Sequence, residues 1–207
     1  MALITSVIVN GINNLSDARY CAGMGVDMIG FNLDDSQPGY MSPTDLQDIV
    51  GWVSGVKLVG EFRKTPVEQI NELVDSCHLD YVQLNKQYLI DEIQQIKCPV
   101  IQRAHFTKDT IESELVEEMH LYKDHVAYFL VFSEDYTTID DTNLRFLQDL
   151  ARDFKVLIGL GISKENAMEV LQQINPAGIG LQGGQEIKPG LKDYDTLQEI
   201  FEVLEEV

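Results

Sequence analysis

Short apolar runs alternate along the whole chain with longer segments whose apolar residues recur every three or four positions. The runs fall at Ile4–Val9, Met28–Asn32, Lys57–Phe62, Tyr81–Leu84, Val100–Arg103, Ala127–Phe132, Val156–Leu160 and Gly178–Leu181. They are rich in Val, Ile and Leu, as suits parallel strands covered on both faces. Helices are predicted between them, over Ser16–Met24, Pro43–Val53, Pro66–Cys77, Tyr88–Gln95, Thr110–Leu121, Thr142–Phe154, Lys164–Gln173 and Asp193–Glu206. Local signals mark several starts. Ser16 caps the first helix, Ser42 precedes Pro43 at a first helical position, and Thr65 with Glu68 has capping-box spacing. Strands that alternate with helices imply a parallel sheet with helical crossovers. No linker or composition break interrupts the series, so residues 1–207 read as one domain. Its even spacing favours a closed (β/α)8 TIM barrel, of class α/β, over an open doubly wound sheet.

Glycines punctuate the end of this pattern. Gly159 and Gly161 flank Leu160 after the seventh run, and Gly183 and Gly184 follow the eighth. Glycine lets a backbone approach a ligand closely, and barrels commonly hold phosphate at this end. The amides of Leu160, Gly161, Gly183 and Gly184 are therefore expected to converge on a phosphate, facing a short helix that starts near Gly184. Tight turns between strand and helix are the plainer explanation of the same glycines.

Charge narrows the partners. The 207 residues carry 15 basic and 34 acidic side chains, a formal charge of −19. That balance argues against nucleic acid and anionic membrane surfaces, which are held by Lys and Arg. An anionic ligand must be held by local donors against the overall field. Cys21, Cys77 and Cys98 are odd in number and lack metal-ligand spacing, so they read as reduced thiols of a cytoplasmic protein. The apolar start "MALITSVIV" lacks a basic flank and reads as a first strand rather than a signal peptide. No apolar stretch is long enough to span a membrane. With no P-loop, zinc motif, nucleophile elbow or calcium loop, neither cofactor nor metal is expected.

The segment "PAGIGLQGGQEIKPGLKD" resembles the C-terminal signature of phosphoribosylanthranilate isomerases, the barrel enzymes of tryptophan biosynthesis, which read near D-V-S-S-G-V-E-x-x-P-G-x-K-D. Gly184, Glu186, Pro189, Gly190, Lys192 and Asp193 match it. The resemblance runs from "VNGINNLSDARYCAGMGVDMIGF" through "VGEF" and "DYVQLNK" to "GISKENAMEV". It implies the barrel, a phosphate site at strands seven and eight, and an isomerisation in which a Cys base and an Asp acid rearrange a ring-opened phosphoribosyl amine.

The reactive positions depart from that family. Asn10 stands where the base is expected, and it does not titrate. Phe132 falls at the acid position, with Glu134 and Asp135 a short shift away; Gly39 replaces the carboxylate-binding Arg, and Asn85 replaces a His. Side chains at strand ends that could rebuild the mouth include Asn10, Asn32, Asp34, Glu61, Gln83, Asn85, Arg103, His105, Glu134 and Asp135. Glu61 is the most pointed, since it interrupts an apolar strand. Asp34 or His105 could form an acid–base pair with it, and Arg103 could bind a ligand carboxylate or pair with Glu61. Each also reads as ordinary polarity at a strand end. Three readings follow: a binder of a phosphorylated small molecule, using Leu160, Gly161, Gly183, Gly184, Asn10, Asn85 and Arg103, that has lost the isomerase chemistry; an active isomerase on phosphoribosylanthranilate or a related sugar phosphate, using Glu61, Asp34 and His105; or a non-catalytic scaffold. Monomer and homodimer stay open.

Overall fold

A computed structural model describes residues 2–183, 186–188, 191–192 and 194–206, with the backbone alone at 186–188 and 191–192. Eight parallel strands close into a barrel in chain order: β1 (Ser6–Asn10), β2 (Met28–Asn32), β3 (Lys57–Phe62), β4 (Tyr81–Leu84), β5 (Val100–His105), β6 (Tyr128–Phe132), β7 (Val156–Gly159) and β8 (Gly178–Gln182). Closure is made by β1 against β8, with Ser6 opposite Gly178 and Asn10 opposite Gln182. The crossovers are α1 (Leu15–Gly23), α2 (Pro43–Val50), α3 (Val67–Cys77), α4 (Ile90–Ile93), α5 (Glu112–Tyr122), α6 (Leu144–Asp153) and α7 (Ala167–Ile174), and α8 (Asp195–Leu204) closes the series. Among the described residues, no helix is long and apolar enough to cross a membrane.

Two apolar layers hold the barrel. Outward-facing strand residues such as Val7, Ile29, Val82, Val131 and Ile158 pack with buried helix residues such as Leu46, Ile70, Leu147 and Phe201 in one continuous cluster. Inside the barrel, Ile8, Met28, Val59, Ile101, Leu130 and Leu157 form a separate cluster, against which Tyr81 and Tyr128 pack. The barrel is therefore a filled core, and the strands' C-terminal ends open as a mouth above it.

Several local expectations are corrected. Asn14, not Ser16, caps α1, because its side chain accepts the Asp17 N–H. Thr65 and Glu68 form no capping box; Pro66 occupies the cap of α3, and the Thr65 carbonyl accepts the Tyr88 hydroxyl. The Ser42–Pro43 start of α2 is found as expected. The last strand is not followed by the expected short helix in the described residues. Instead β9 (Glu186–Lys188) and β10 (Leu191–Lys192) pair as an antiparallel ribbon. Gly184, Pro189, Gly190 and Asp193 lie outside the described residues.

Candidate active site

Alternation along each strand decides what the mouth presents. Residues two positions beyond the inner apolar layer face the same way, so Ile8 leads to Asn10, Val59 to Glu61, Tyr81 to Gln83, Ile101 to Arg103 and Leu130 to Phe132. The layer above the core is therefore largely polar. Asn10, Glu61 and Gln83 are all buried in it.

Gly30 makes room for two of these side chains. A Cβ added there would lie 2.6 Å from Asn10 Oδ1 and 2.7 Å from Glu61 Oε1, so the two oxygens share the space of the missing side chain. Glu61 Oε1 accepts the Gly11 N–H at 2.9 Å, and Oε2 accepts Asn85 Nδ2 at 3.3 Å. Asn85 is itself held, because its Oδ1 accepts Gln83 Nε2 at 2.8 Å. Every donor in this chain points toward the carboxylate. Burial nevertheless raises the Glu61 carboxyl above its ordinary value, against the opposing pull of Gly11, Asn85 and the Arg103 charge.

Arg103 does not neutralise Glu61. Among the described residues its guanidinium is in no ion pair; it lies 3.5 Å over the centre of the Phe132 ring. The expected pair of Arg103 with Glu61 is thus replaced by stacking on Phe132. His105, at the end of β5, meets Phe132 edge-on with centroids 6.1 Å apart. Partial burial and the adjacent Arg103 charge hold its imidazole below the ordinary value, although a hydrogen bond with the Asn85 backbone opposes them.

Glu61, Asn85, Arg103 and His105 line a cavity of about 310 Å³ at the mouth, to which Gly11, Asn32, Arg63, Glu134 and Gln182 also contribute. In the polar layer, Asn10 Oδ1, Gln83 Oε1 and Arg103 Nε are buried without a hydrogen-bond partner. Such atoms are costly when left unsatisfied, and of the three residues Arg103 lines the cavity.

Other expected members stand apart. Asp34 is not turned toward Glu61. Its Oδ2 accepts the Arg63 and Lys64 N–H groups, and its Oδ1 accepts Ser36 through both backbone and hydroxyl. It ties the loop after β2 to the loop after β3. Burial alone would raise its carboxyl, but these bonds together hold it below the ordinary value. Asp135 accepts the Lys108 N–H instead of lining the mouth. At the glycine end, the Gly183 N–H is already spent on the Asn10 carbonyl at 2.7 Å, so it is not a free donor for an anion. Leu160 is buried. Gly161 turns the chain with φ +62°, and among the described residues its N–H has no partner. Gly11, Gly30, Arg63 and Gln182 are the members that the strand pattern did not single out. Gly30, a glycine inside a strand, carried the signal of a close approach.

The comparisons with known proteins agree with the fold. Residues 7–203 match the family described as N-(5'phosphoribosyl)anthranilate (PRA) isomerase. The N-(5'-phosphoribosyl)anthranilate isomerase of Geotalea daltonii is 26% identical over 204 residues, covering 96% of each chain. That of Gloeothece citriformis is 28% identical over 207 residues, covering 96% of this chain and 93% of its own. Among solved structures, the phosphoribosyl anthranilate isomerase of Thermotoga maritima superposes with a TM-score of 0.83 at 22% identity, over 97% of this chain and 98% of that one. A phosphoribosyl anthranilate isomerase in complex with reduced 1-(o-carboxyphenylamino)-1-deoxyribulose 5-phosphate gives 0.79 at 23% identity with the same coverage. The chain belongs to the N-(5'-phosphoribosyl)anthranilate isomerase family.

Proposed function

We propose that this barrel binds a phosphorylated small molecule in its mouth and does not isomerise phosphoribosylanthranilate. The observation that carries the binding reading is the polar cavity itself, lined by Glu61, Arg63, Asn85, Arg103 and His105, where the buried Arg103 Nε lacks a partner. A ligand with several hydroxyl and charged oxygens supplies an acceptor to Arg103 Nε and further partners to the other lining groups. Arg63 and Arg103 supply positive charge on the β3–β5 side, within a protein of charge −19. The phosphate is assigned to the side of strands seven and eight, where the Gly161 N–H, without a partner among the described residues, is a donor. Family membership and the phosphorylated compound bound by a structural relative support a phosphorylated ligand.

The family resemblance sets Asn10 and Phe132 at the base and acid positions. Neither titrates, and acid–base groups contribute roughly 10²–10⁴-fold each. The ligand titration uses ribose 5-phosphate, with inorganic phosphate as competitor. Saturable binding that weakens by tenfold or more in Arg103→Ala is expected; no binding of either compound overturns the reading. Steady turnover of phosphoribosylanthranilate would overturn its second half.

A further inference from the structure

Three carboxylates are buried among the described residues: Asp17, Asp34 and Glu61. Asp17 accepts the Tyr194 hydroxyl, and Asp34 is filled by loop backbone and Ser36. Both have structural work. Glu61 is different, since it opens on the mouth cavity.

The surroundings hold Glu61 in place without neutralising it. Its two oxygens are fixed by a backbone N–H and by Asn85, which Gln83 locks in turn. The nearby cation, Arg103, is turned onto Phe132 instead of pairing with it. A carboxylate kept inside a barrel for stability alone would be paired, or would be better replaced by an apolar residue. An oriented, unpaired carboxylate that faces a ligand cavity has the geometry of a proton acceptor.

The rest of the cavity limits the chemistry. Its other titratable or charged groups among the described residues are Arg63, Arg103, His105 and Glu134. His105 is held toward its neutral form, and Glu134 is exposed. No strong acid faces Glu61 to open a sugar ring, so the substrate must present its carbonyl already open. A phosphorylated ketose whose terminal hydroxyl is esterified, and whose remaining hydroxyls lie too near the carbonyl for a stable ring, meets that condition.

We propose that Glu61 removes a proton from the carbon beside the carbonyl of an open-chain phosphorylated ketose; this rests on the binding reading above. The carboxylate takes the proton as the C–H bond breaks. That electron pair forms the C=C bond of an enediolate, and the carbonyl oxygen gains the negative charge in the field of Arg103. Return of the proton to the same carbon regenerates the ketose. Its delivery to the former carbonyl carbon, with a proton shift between the oxygens, gives an isomer. Neither route needs an external oxidant or reductant.

The test follows ribulose 5-phosphate in D2O by proton NMR, with binding titrated in parallel. Loss of the C1 or C3 proton signal at least tenfold faster than in buffer is expected with the wild-type chain. Glu61→Gln should bind within a few-fold of wild type and slow exchange roughly 10²–10⁴-fold. The wild-type rate should rise with pH as Glu61 ionises, with a midpoint above the ordinary carboxylate range. Binding without exchange overturns the inference and leaves the binding reading intact, whereas absence of binding overturns both. Exchange that is undiminished in Glu61→Gln overturns the inference. If that variant does not fold, the wild-type profile decides, and a flat profile overturns it.

Discussion

Glu61 and Asp34 show how one residue type serves opposite ends. Both are buried carboxylates at the mouth end of the barrel, yet their ionisation shifts in opposite directions. Glu61 has a raised value, so between its unfolded and folded pKa the native state binds a proton that the unfolded chain lacks. Stability contributed by the protonated group is full below the unfolded value and is lost as pH rises through the folded one. Glu61→Gln should therefore gain stability relative to wild type as pH rises above the ordinary carboxylate range, read from urea unfolding at each pH. A constant difference would show that Glu61 does not change protonation in that window. Asp34 has the reverse sign: its contribution is present above the unfolded value and is lost as pH falls through the folded one. Hydrogen bonds to charged groups contribute about 1.5–3 kcal/mol each, so Asp34→Ala should cost at least about that much near neutrality in the same unfolding measurement. Alternation along β3 made the placement of Glu61 legible, because Val59 lies two residues before it on the inner face. The role of Asp34 was not legible, since it depends on backbone N–H groups brought in from residues 63 and 64.

At the scale of elements, the loops after β6 and β7 are built alike. Asn143 Oδ1 accepts the Asp140 N–H while its Nδ2 reaches the Thr138 carbonyl. Asn166 Oδ1 accepts the Ser163 N–H while its Nδ2 reaches the Gly161 carbonyl. Each Asn thus closes a loop just before a helix. The two loops also touch: a Cβ at Gly161 would lie 2.8 Å from the Thr138 carbonyl carbon and 2.9 Å from Ile139 N. Asn143 is fully buried, and each intramolecular hydrogen bond contributes about 0.5–1.5 kcal/mol. Asn143→Ala should cost an amount in that range or above it, measured by thermal unfolding, and should loosen the Gly161 turn beside it. All eight strands and their order were legible from apolar runs, because a strand buried on both faces needs a continuous run. Helix starts were less so. Ser16 and Thr65 carry capping chemistry, but the chain enters α1 two residues earlier at Asn14 and enters α3 through Pro66. The ribbon of β9 and β10 was not legible, because the glycine pattern suits a turn as well as a helix start.

Across the whole molecule, the charge and the site oppose each other. The protein carries −19, and most of that charge lies on exposed helix faces. A phosphorylated ligand approaching from solvent is therefore repelled at distances beyond the mouth. Within the cavity the balance differs, since Arg63 and Arg103 offset Glu61 and Glu134 while His105 is held toward neutrality. Salt screens exposed charges over about 8–10 Å near physiological ionic strength, and it screens partly buried contacts less. The repulsion on approach is thus weakened more than the attraction at Arg103, which is half-buried against Phe132. The association rate of ribose 5-phosphate should consequently rise with added salt between 20 and 200 mM on the order of two-fold or more. That is the reverse of the fall expected for a ligand steered by a positive surface. Stopped-flow measurement across this range distinguishes the two. A falling rate would mean that the cations of the mouth dominate the field well outside it, and that capture, not only retention, is electrostatic.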